Sequence, residues 1–247
     1  MRVSFDSNAW EKIFDPTGSQ FAPIHSTLRN GRLTGFICEA GFRIEAIIKS
    51  DRVAYFSQPY MHARFDGVVT RDGRPHLKMS FGPDDKHHPG LASVQANKLH
   101  HALSTGVLVM RGLAWLGLPS PQEVWNPDIF VSETREMAHE REQRQIDASV
   151  RIWARGVGKA AFDAAGGWNV SSLEASSEKK FRRACAEWAD GELVAAHIAY
   201  RNDILCTDDH ARTAGRSIFD LENREWLRAQ YGLEFKTLDE LTEMISG

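Results

Sequence analysis

Two short apolar runs in this chain end in acids. Val3-Ser4-Phe5 leads into Asp6, with Ser7 and Asn8 behind it, and Ile204-Leu205-Cys206-Thr207 leads into Asp208 and Asp209. Other acids stand in helical surroundings: Glu39 and Glu45 within Glu39 to Lys49, and Asp190 and Glu192 just ahead of Leu193 to Tyr200. Carboxylates gathered in one place repel one another and raise one another's pKa unless a cation neutralises them. Oxygen donors without Cys or His beside them select Mg²⁺ or Mn²⁺ over zinc. Those ions suit phosphoryl chemistry, where they position a water and stabilise the leaving oxygen. Each acid also has a plainer reading, Asp6 and Asp190 as caps of the helices that follow them. Glu39 and Glu45, six apart on a helix, point away from each other, so at most one faces a shared site. Of the adjacent pair Asp208 and Asp209, one is a ligand candidate and the other outward-facing or supporting.

The elements that must position these acids follow from periodicity and turn chemistry. Val3 to Phe5 reads as a strand, Ala9 to Phe14 as a short helix capped by Ser7-Asn8, and Phe21 to Arg29 as a second helix stopped by Asn30-Gly31. Arg32 to Cys38 is a strand, and Glu39 to Lys49 has helical spacing. Phe65 to Thr70 and His76 to Phe81 form a hairpin around Asp72-Gly73, a dipeptide that supplies the positive φ angles of tight turns. Leu91 to Leu116 reads as mostly helical with breaks at Gly106 and Gly112, and Gly117 to Pro127 as a connector. Ser132 to about Ala165 is expected as one long polar helix, Glu174 to Ala189 and Leu193 to Tyr200 as two more. Ile204 to Cys206 and Leu233 to Phe235 are strands around a helix at Ile218 to Gln230. Thr237 to Glu240 caps a last helix. Strands separated by helices predict an α/β fold with a mostly parallel sheet and helices on both faces. In such a sheet ligands bind outside the carboxyl ends of the strands. The expectation is one domain over 1–247, with 53–177 a hairpin-plus-helical insertion or an enlarged helical half.

The stretches Val3 to Asn8, Asp190 to His197 and Ile204 to Asp209 resemble the motifs of PIN-domain ribonucleases. Ile37 to Ile47 is similar to that family's helix with a metal-binding Glu, and Gly232 to Phe235 with Thr237 to Met244 to its last strand and helix. The resemblance covers roughly the first fifty and last sixty residues. It implies a three-layer PIN-like fold and an Mg²⁺- or Mn²⁺-dependent endoribonuclease, with Asp6, Glu45, Asp190 and Asp209 holding metal. Asn8 and Thr207 would support them, and Glu39, Glu192 and Asp208 are the alternates. One extra residue before Ala195-Ala196, relative to the family pattern, keeps Glu192 open beside Asp190. The resemblance further implies single-stranded or structured RNA as substrate and a toxin–antitoxin setting, with an antitoxin protein as partner. A homodimer is an expectation for the inserted middle, which either stands beside the carboxyl edge of the sheet or extends a dimer surface. The competing class is a non-catalytic PIN-like scaffold that binds RNA or protein.

Composition narrows the field. The chain has 247 residues, 42% of them hydrophobic and 26% charged, which is ordinary for a globular protein. Thirty basic against thirty-three acidic side chains leave a net charge of −3, so nucleic-acid binding needs a local basic face. One candidate is Arg144, Arg151, Arg155 and Lys159, at helical spacing near Trp153 and Trp168; a solvated face is the plainer reading. Lys179-Lys180 with Arg182-Arg183 is another. Cys38, Cys185 and Cys206 read as reduced core thiols of a cytoplasmic protein. Asp6 interrupts the N-terminus before any export-length apolar stretch develops, and Ala102 to Leu118 is too broken by Arg111 to span a membrane. Asn8 stands where an aspartyl-phosphatase needs a second Asp, and no Gly-rich phosphate loop occurs. The pairs His87-His88 and His100-His101 point in diverging directions and read as loop or surface groups.

Overall fold

The computed structural model describes residues 1–14, 20–45, 47–57, 62–69, 75–82, 91, 93–113, 126–170, 175–210 and 216–247. Its elements in chain order begin β1 (Arg2–Phe5), α1 (Ser7–Phe14), α2 (Ala22–Arg29), β2 (Thr34–Cys38), α3 (Arg52–Ser57), β3 (His62–Val69), β4 (Pro75–Gly82) and α4 (Ser93–Ser104). They continue with β5 (Leu108–Met110), α5 (Arg135–Ala154), α6 (Lys159–Ala164), α7 (Ala175–Tyr200), β6 (Ile204–Cys206), α8 (Leu221–Tyr231), β7 (Glu234–Lys236) and α9 (Leu238–Ser246).

Five strands form one all-parallel sheet in the order β5-β2-β1-β6-β7. Side chains alternate across a strand, and the two apolar clusters divide accordingly. Phe36, Cys38, Met110 and Leu205 pack with residues of α3, α5, α6, α7 and α8 on one face. Val3, Phe5, Ile37, Val109, Ile204 and Cys206 pack with α1, α2, α4 and α9 on the other. The result is a three-layer α/β fold. Ser4 is the polar exception in β1. Its hydroxyl lies 2.9 Å from His197 Nδ1 and accepts from Asn202 Nδ2 at 2.8 Å, which ties α7 and the turn after it to the centre of the sheet.

From β1 the chain winds outward through β2 to β5, then returns past β1 to start β6 and β7 on the other side. The direction reverses between β1 and β6, and a crevice forms at such a reversal outside the carboxyl ends of the strands. Asp6 directly follows β1 and Thr207-Asp208-Asp209 follow β6, so these residues sit at the mouth of that crevice.

Five expected elements fold differently. Leu91 to Leu116 is helical only through α4, which ends at Ser104; the expected break at Gly106 is a turn with φ +81°, and beyond it Leu108–Met110 pairs with Phe36–Cys38 as an edge strand. Glu39 to Lys49 is not a regular α-helix; Gly41–Glu45 forms a π-helical turn, and the chain bends before α3. The polar helix expected over Ser132 to Ala165 is two helices, α5 and α6, separated where Gly156 and Gly158 take positive φ. Conversely, the two helices expected on either side of Asp190 are the single α7. The hairpin β3–β4 is antiparallel with Val69 opposite Pro75; its turn at Asp72-Gly73, like the connector before Asn126 and His87-His88, lies outside the described residues. The three cysteines are buried and free. Among the described residues no helix is long and apolar enough to cross a membrane.

Gly191 explains why α7 passes unbroken through a residue that normally weakens a helix. A Cβ on Gly191 would lie 2.8 Å from the Gly158 Cα, so the α5–α6 turn rests directly on the backbone of α7. Glu187, one turn earlier on α7, clamps the same contact: its Oε1 accepts from Gly158 N at 3.1 Å and Ile218 N at 2.8 Å. Gly191→Ala is therefore expected to destabilise the protein by about 1–3 kcal/mol, because backbone must move rather than a flexible side chain. Thermal melting checks this; an unchanged melting temperature would mean that the turn gives way freely.

Candidate functional site

Each acid reaches the crevice from a different element. Asp6 is carried by the first residue after β1, and its backbone N–H donates to Cys206 O at 3.0 Å, which extends the β1–β6 pairing by one step. Its Oδ2 accepts from Thr207 Oγ1 at 2.6 Å and from Asn8 Nδ2 at 2.7 Å. Thr207 Oγ1 in turn accepts from Asp209 N at 3.0 Å, so one hydroxyl spans the ends of the two central strands. Glu45 comes from the π-helical turn after β2, and its Oε2 accepts from Ser7 Oγ at 2.6 Å. Asp190 comes from the middle of α7.

Electrostatics group these side chains. Burial, then the neighbouring Glu45 and Asp209, push the Asp6 carboxyl up to about 7, although bonds from Thr207 and the Ser7 backbone oppose the rise. Glu45 is raised by burial, with Ser7, Arg52 and Lys49 opposing and Asp209 adding. Asp190 lies well above the usual carboxylate range: after burial, each leading influence on it is another acid, Asp6, Glu45, Glu187 and Asp209. No hydrogen bond to the Asp190 carboxylate occurs among the described residues, whereas Asp6 and Glu45 each have hydroxyl partners. A small opening lined by Asp6, Ser7, Glu45 and Asp190 lies between them.

The alternates lie elsewhere. Asp208 turns away: burial works to raise it, but Lys12 at 2.5 Å and the Leu238 N–H at 3.1 Å bring it below the usual range. Glu39 and Glu192 make a second, separate pair. Glu39 Oε1 accepts from Gly112 N at 2.6 Å and lies 3.4 Å from Arg43, and Glu192 Oε2 accepts from Leu113 N at 3.3 Å. Burial, with Glu39 adding, raises Glu192 to about 7. These two acids pin the segment after β5 to β2 and α7. Asp190 and Glu192 are two residues apart on one helix, about 200° around its axis, so α7 sends one to each group.

The basic stripe expected at Arg144, Arg151, Arg155 and Lys159 does not form one face. Its residues fall on α5, on the residue that ends α5, and on α6. Arg144 Nε donates to Ala199 O at 3.1 Å, and Arg155 bonds Asn223 at 2.5 Å and Glu222 at 2.7 Å while lying over Trp226. Lys159 pairs with Asp163 at 2.6 Å, and Arg151 is exposed. Arg144 and Arg155 thus hold helices together, and Lys159 is engaged in an ion pair within α6.

Glu187 is the acid that sequence reasoning passed over. It is buried, it is raised chiefly by burial, and it adds to the field on Asp190 three residues later. Its spacing from Asp190, one helical turn on the same face, was the available signal.

Whether a divalent cation suits this centre is answered by its donors. All are carboxylate oxygens, the ligand type that Mg²⁺ and Mn²⁺ prefer. The rise of Asp6, Glu45 and Asp190 comes first from burial, with neighbouring acids adding to it. Among the described residues no three His, Cys, Asp or Glu side chains already converge as a ligand set. Asp6 and Glu45 spend an oxygen each on Thr207 and Ser7. The donor chemistry and the charge fit a divalent ion.

The fold and site together define a three-layer α/β protein with a buried carboxylate centre at the topological switch point of its sheet. No protein-family model matches the chain, and no curated protein or solved structure shows significant similarity to it.

Proposed function

We propose that this protein is a metal-dependent ribonuclease of the PIN-domain kind, acting on RNA phosphodiester bonds in the cytoplasm. The observation that carries the reading is that Asp6, Glu45 and Asp190, from three separate segments, line one small opening at the switch-point crevice, with Asp209 acting on the charge of Asp6 and Asp190. A bound Mg²⁺ or Mn²⁺ would supply water activation and stabilise charge on the leaving oxygen. The chain's own residues hold that arrangement. Thr207 fixes Asp6 against the start of the Asp209 segment, Ser7 orients Glu45, and Asn8 occupies the outer side of the Asp6 carboxylate. Asp190, without hydrogen bonds among the described residues, keeps both oxygens for the ion. A toxin–antitoxin role, with an antitoxin as protein partner, is the biological setting the reading suggests.

Purified protein should cleave single-stranded RNA with Mn²⁺ or Mg²⁺ and stop when the ion is chelated. Asp6→Asn should lower the rate at least about 100-fold, the scale on which disturbed metal sites lose function. A second reading, a non-catalytic PIN-like scaffold, is favoured by the hydroxyl bonds that Asp6 and Glu45 already make. Absence of metal-dependent cleavage, with RNA or protein binding unaffected by Asp6→Asn, would decide for it.

A further inference from the structure

Beside Glu45 the acidic centre opens into a cleft of about 310 Å³ where the sign of charge reverses. Lys49, Arg52, Gln95 and Lys98 line it, together with Ser7 and Asn8 at its junction with the acids. Lys49 follows the π-helical turn that carries Glu45 and is exposed. Gln95 and Lys98 are three apart on α4 and share a face. Arg52 is buried, 1% exposed, and spends its guanidinium on carbonyl oxygens: Ile47 at 3.0 Å, Arg182 at 2.8 Å and Glu45 at 2.5 Å. Among the described residues it has no carboxylate ion-pair partner. Arg52 and Lys49 both act on the Glu45 charge, so cleft and centre share one continuous field.

A buried cation with only carbonyl partners is poorly neutralised, and an anion in the cleft relieves that cost. The acids next to it call for a cation. A ligand that suits both carries negative charge in a row, one group beside the metal ion and the next in the cleft. A cleft of this volume lies at the small end of ligand sites, with room for about one nucleotide unit.

We propose that the Lys49–Lys98 cleft holds the phosphate neighbouring the scissile one on a single-stranded RNA. The inference rests on the ribonuclease reading and names the path of its substrate. Lys49 and Lys98 pair with the phosphate; Arg52 is a positioning residue that fixes the Glu45 backbone and adds to the field.

The test is binding of a fluorescein-labelled single-stranded RNA, followed by anisotropy over a range of salt concentrations, with Asp6→Asn protein as the uncleaving reference. Adding Lys49→Ala and Lys98→Ala to that reference should weaken binding about tenfold or more. It should also lower the slope of log affinity against log salt by about 0.7, the share of one single-strand phosphate. Lys49→Arg with Lys98→Arg should keep both, and Arg32→Ala, an exposed cation at the amino edge of the sheet, should alter neither. With Asp6 intact, the double alanine change should raise KM and leave kcat nearly unchanged, the mark of binding lost equally from ground and transition states. Unchanged affinity and slope would overturn the cleft assignment, whether or not RNA is cleaved. So would inorganic phosphate competing as well as RNA, since the cleft would then be a site for a lone anion. RNA binding that needs both lysines, in a protein that cleaves nothing with Mn²⁺, would uphold the cleft and sink the nuclease reading alone.

Discussion

Asp6→Asn is expected to raise the melting temperature of the metal-free protein at pH 8 while it abolishes turnover. The sign follows from linkage. The folded-state pKa of Asp6 is pushed up to about 7 from 3.8, chiefly by burial and then by Glu45. Between those values the unfolded chain is ionised while the folded chain still holds the proton, so stability falls as pH rises from about 4 through 7. The full cost above that window is up to about 4 kcal/mol at about 1.4 kcal/mol per pKa unit. Asn keeps an oxygen for Thr207 and removes the charge. A gain of about 1–4 kcal/mol corresponds to about 3–15 °C in a chain of this size. The difference should shrink as pH falls toward about 4 and vanish below it, where Asp6 becomes neutral in both states.

Mn²⁺ should stabilise the unmodified protein more at pH 8 than at pH 5, and stabilise Asp6→Asn less at either pH. His197 works in the opposite direction: burial lowers it to about 4 from 6.5, so protonation costs stability as pH falls through that interval. Replacing Asp6 leaves that acid-side loss in place and removes only its own part of the alkaline-side loss. A fall of many degrees in the metal-free Asp6→Asn melting temperature at pH 8 would show instead that the carboxylate is a structural anchor for Thr207 and Asn8.

Phe162→Ala should cause the largest loss of stability, about 3–5 kcal/mol, the range for deleting a buried phenyl ring. Phe162 is fully buried in α6. Its ring centroid lies 4.4 Å from that of Trp188, 5.1 Å from Phe56, 5.4 Å from Phe181 and 5.8 Å from Trp168. Four elements meet at this ring, and Trp188 precedes Asp190 by two residues on α7. The measurement is denaturant unfolding of both proteins, with an expected lower midpoint and unchanged slope. Phe162→Leu should recover much of the loss, because it refills most of the cavity. A loss below about 1 kcal/mol for Phe162→Ala would mean that the cluster collapses without holding α6 to α7.

Local chemistry made much of this architecture legible. Strands that end in acids, at Asp6 and at Thr207 to Asp209, were readable because a short β-branched or aromatic run followed by polar residues can do little else in an α/β chain. The capping box of Thr237 and Glu240 and the hairpin strands on either side of Asp72-Gly73 are likewise written in neighbouring residues. The parallel sheet with helices on both faces followed from the alternation of elements alone.

Contacts across the chain decided the rest. Leu108–Met110 is three apolar residues in an apolar stretch, and only the exposed edge of β2 makes it a strand. Gly191 reads locally as a helix break, and becomes a helix interior because Gly158, thirty-three positions earlier, needs the space a side chain would fill. Sequence periodicity said that Glu39 and Glu45 diverge, and the family pattern left Glu192 open beside Asp190, but neither said which member of each pair meets Asp6. That depended on the π-helical turn after β2 and on the rotation of α7 against the sheet. Arg144 and Arg155 looked like part of a solvent-facing stripe because helical spacing reports direction along one axis, while their partners Ala199 and Asn223 belong to the packing. Which residue types could bear charge at the strand ends is written in the order of residues alone. Tertiary structure decided which of them share one buried volume, because burial and mutual repulsion exist only once separate segments are brought together.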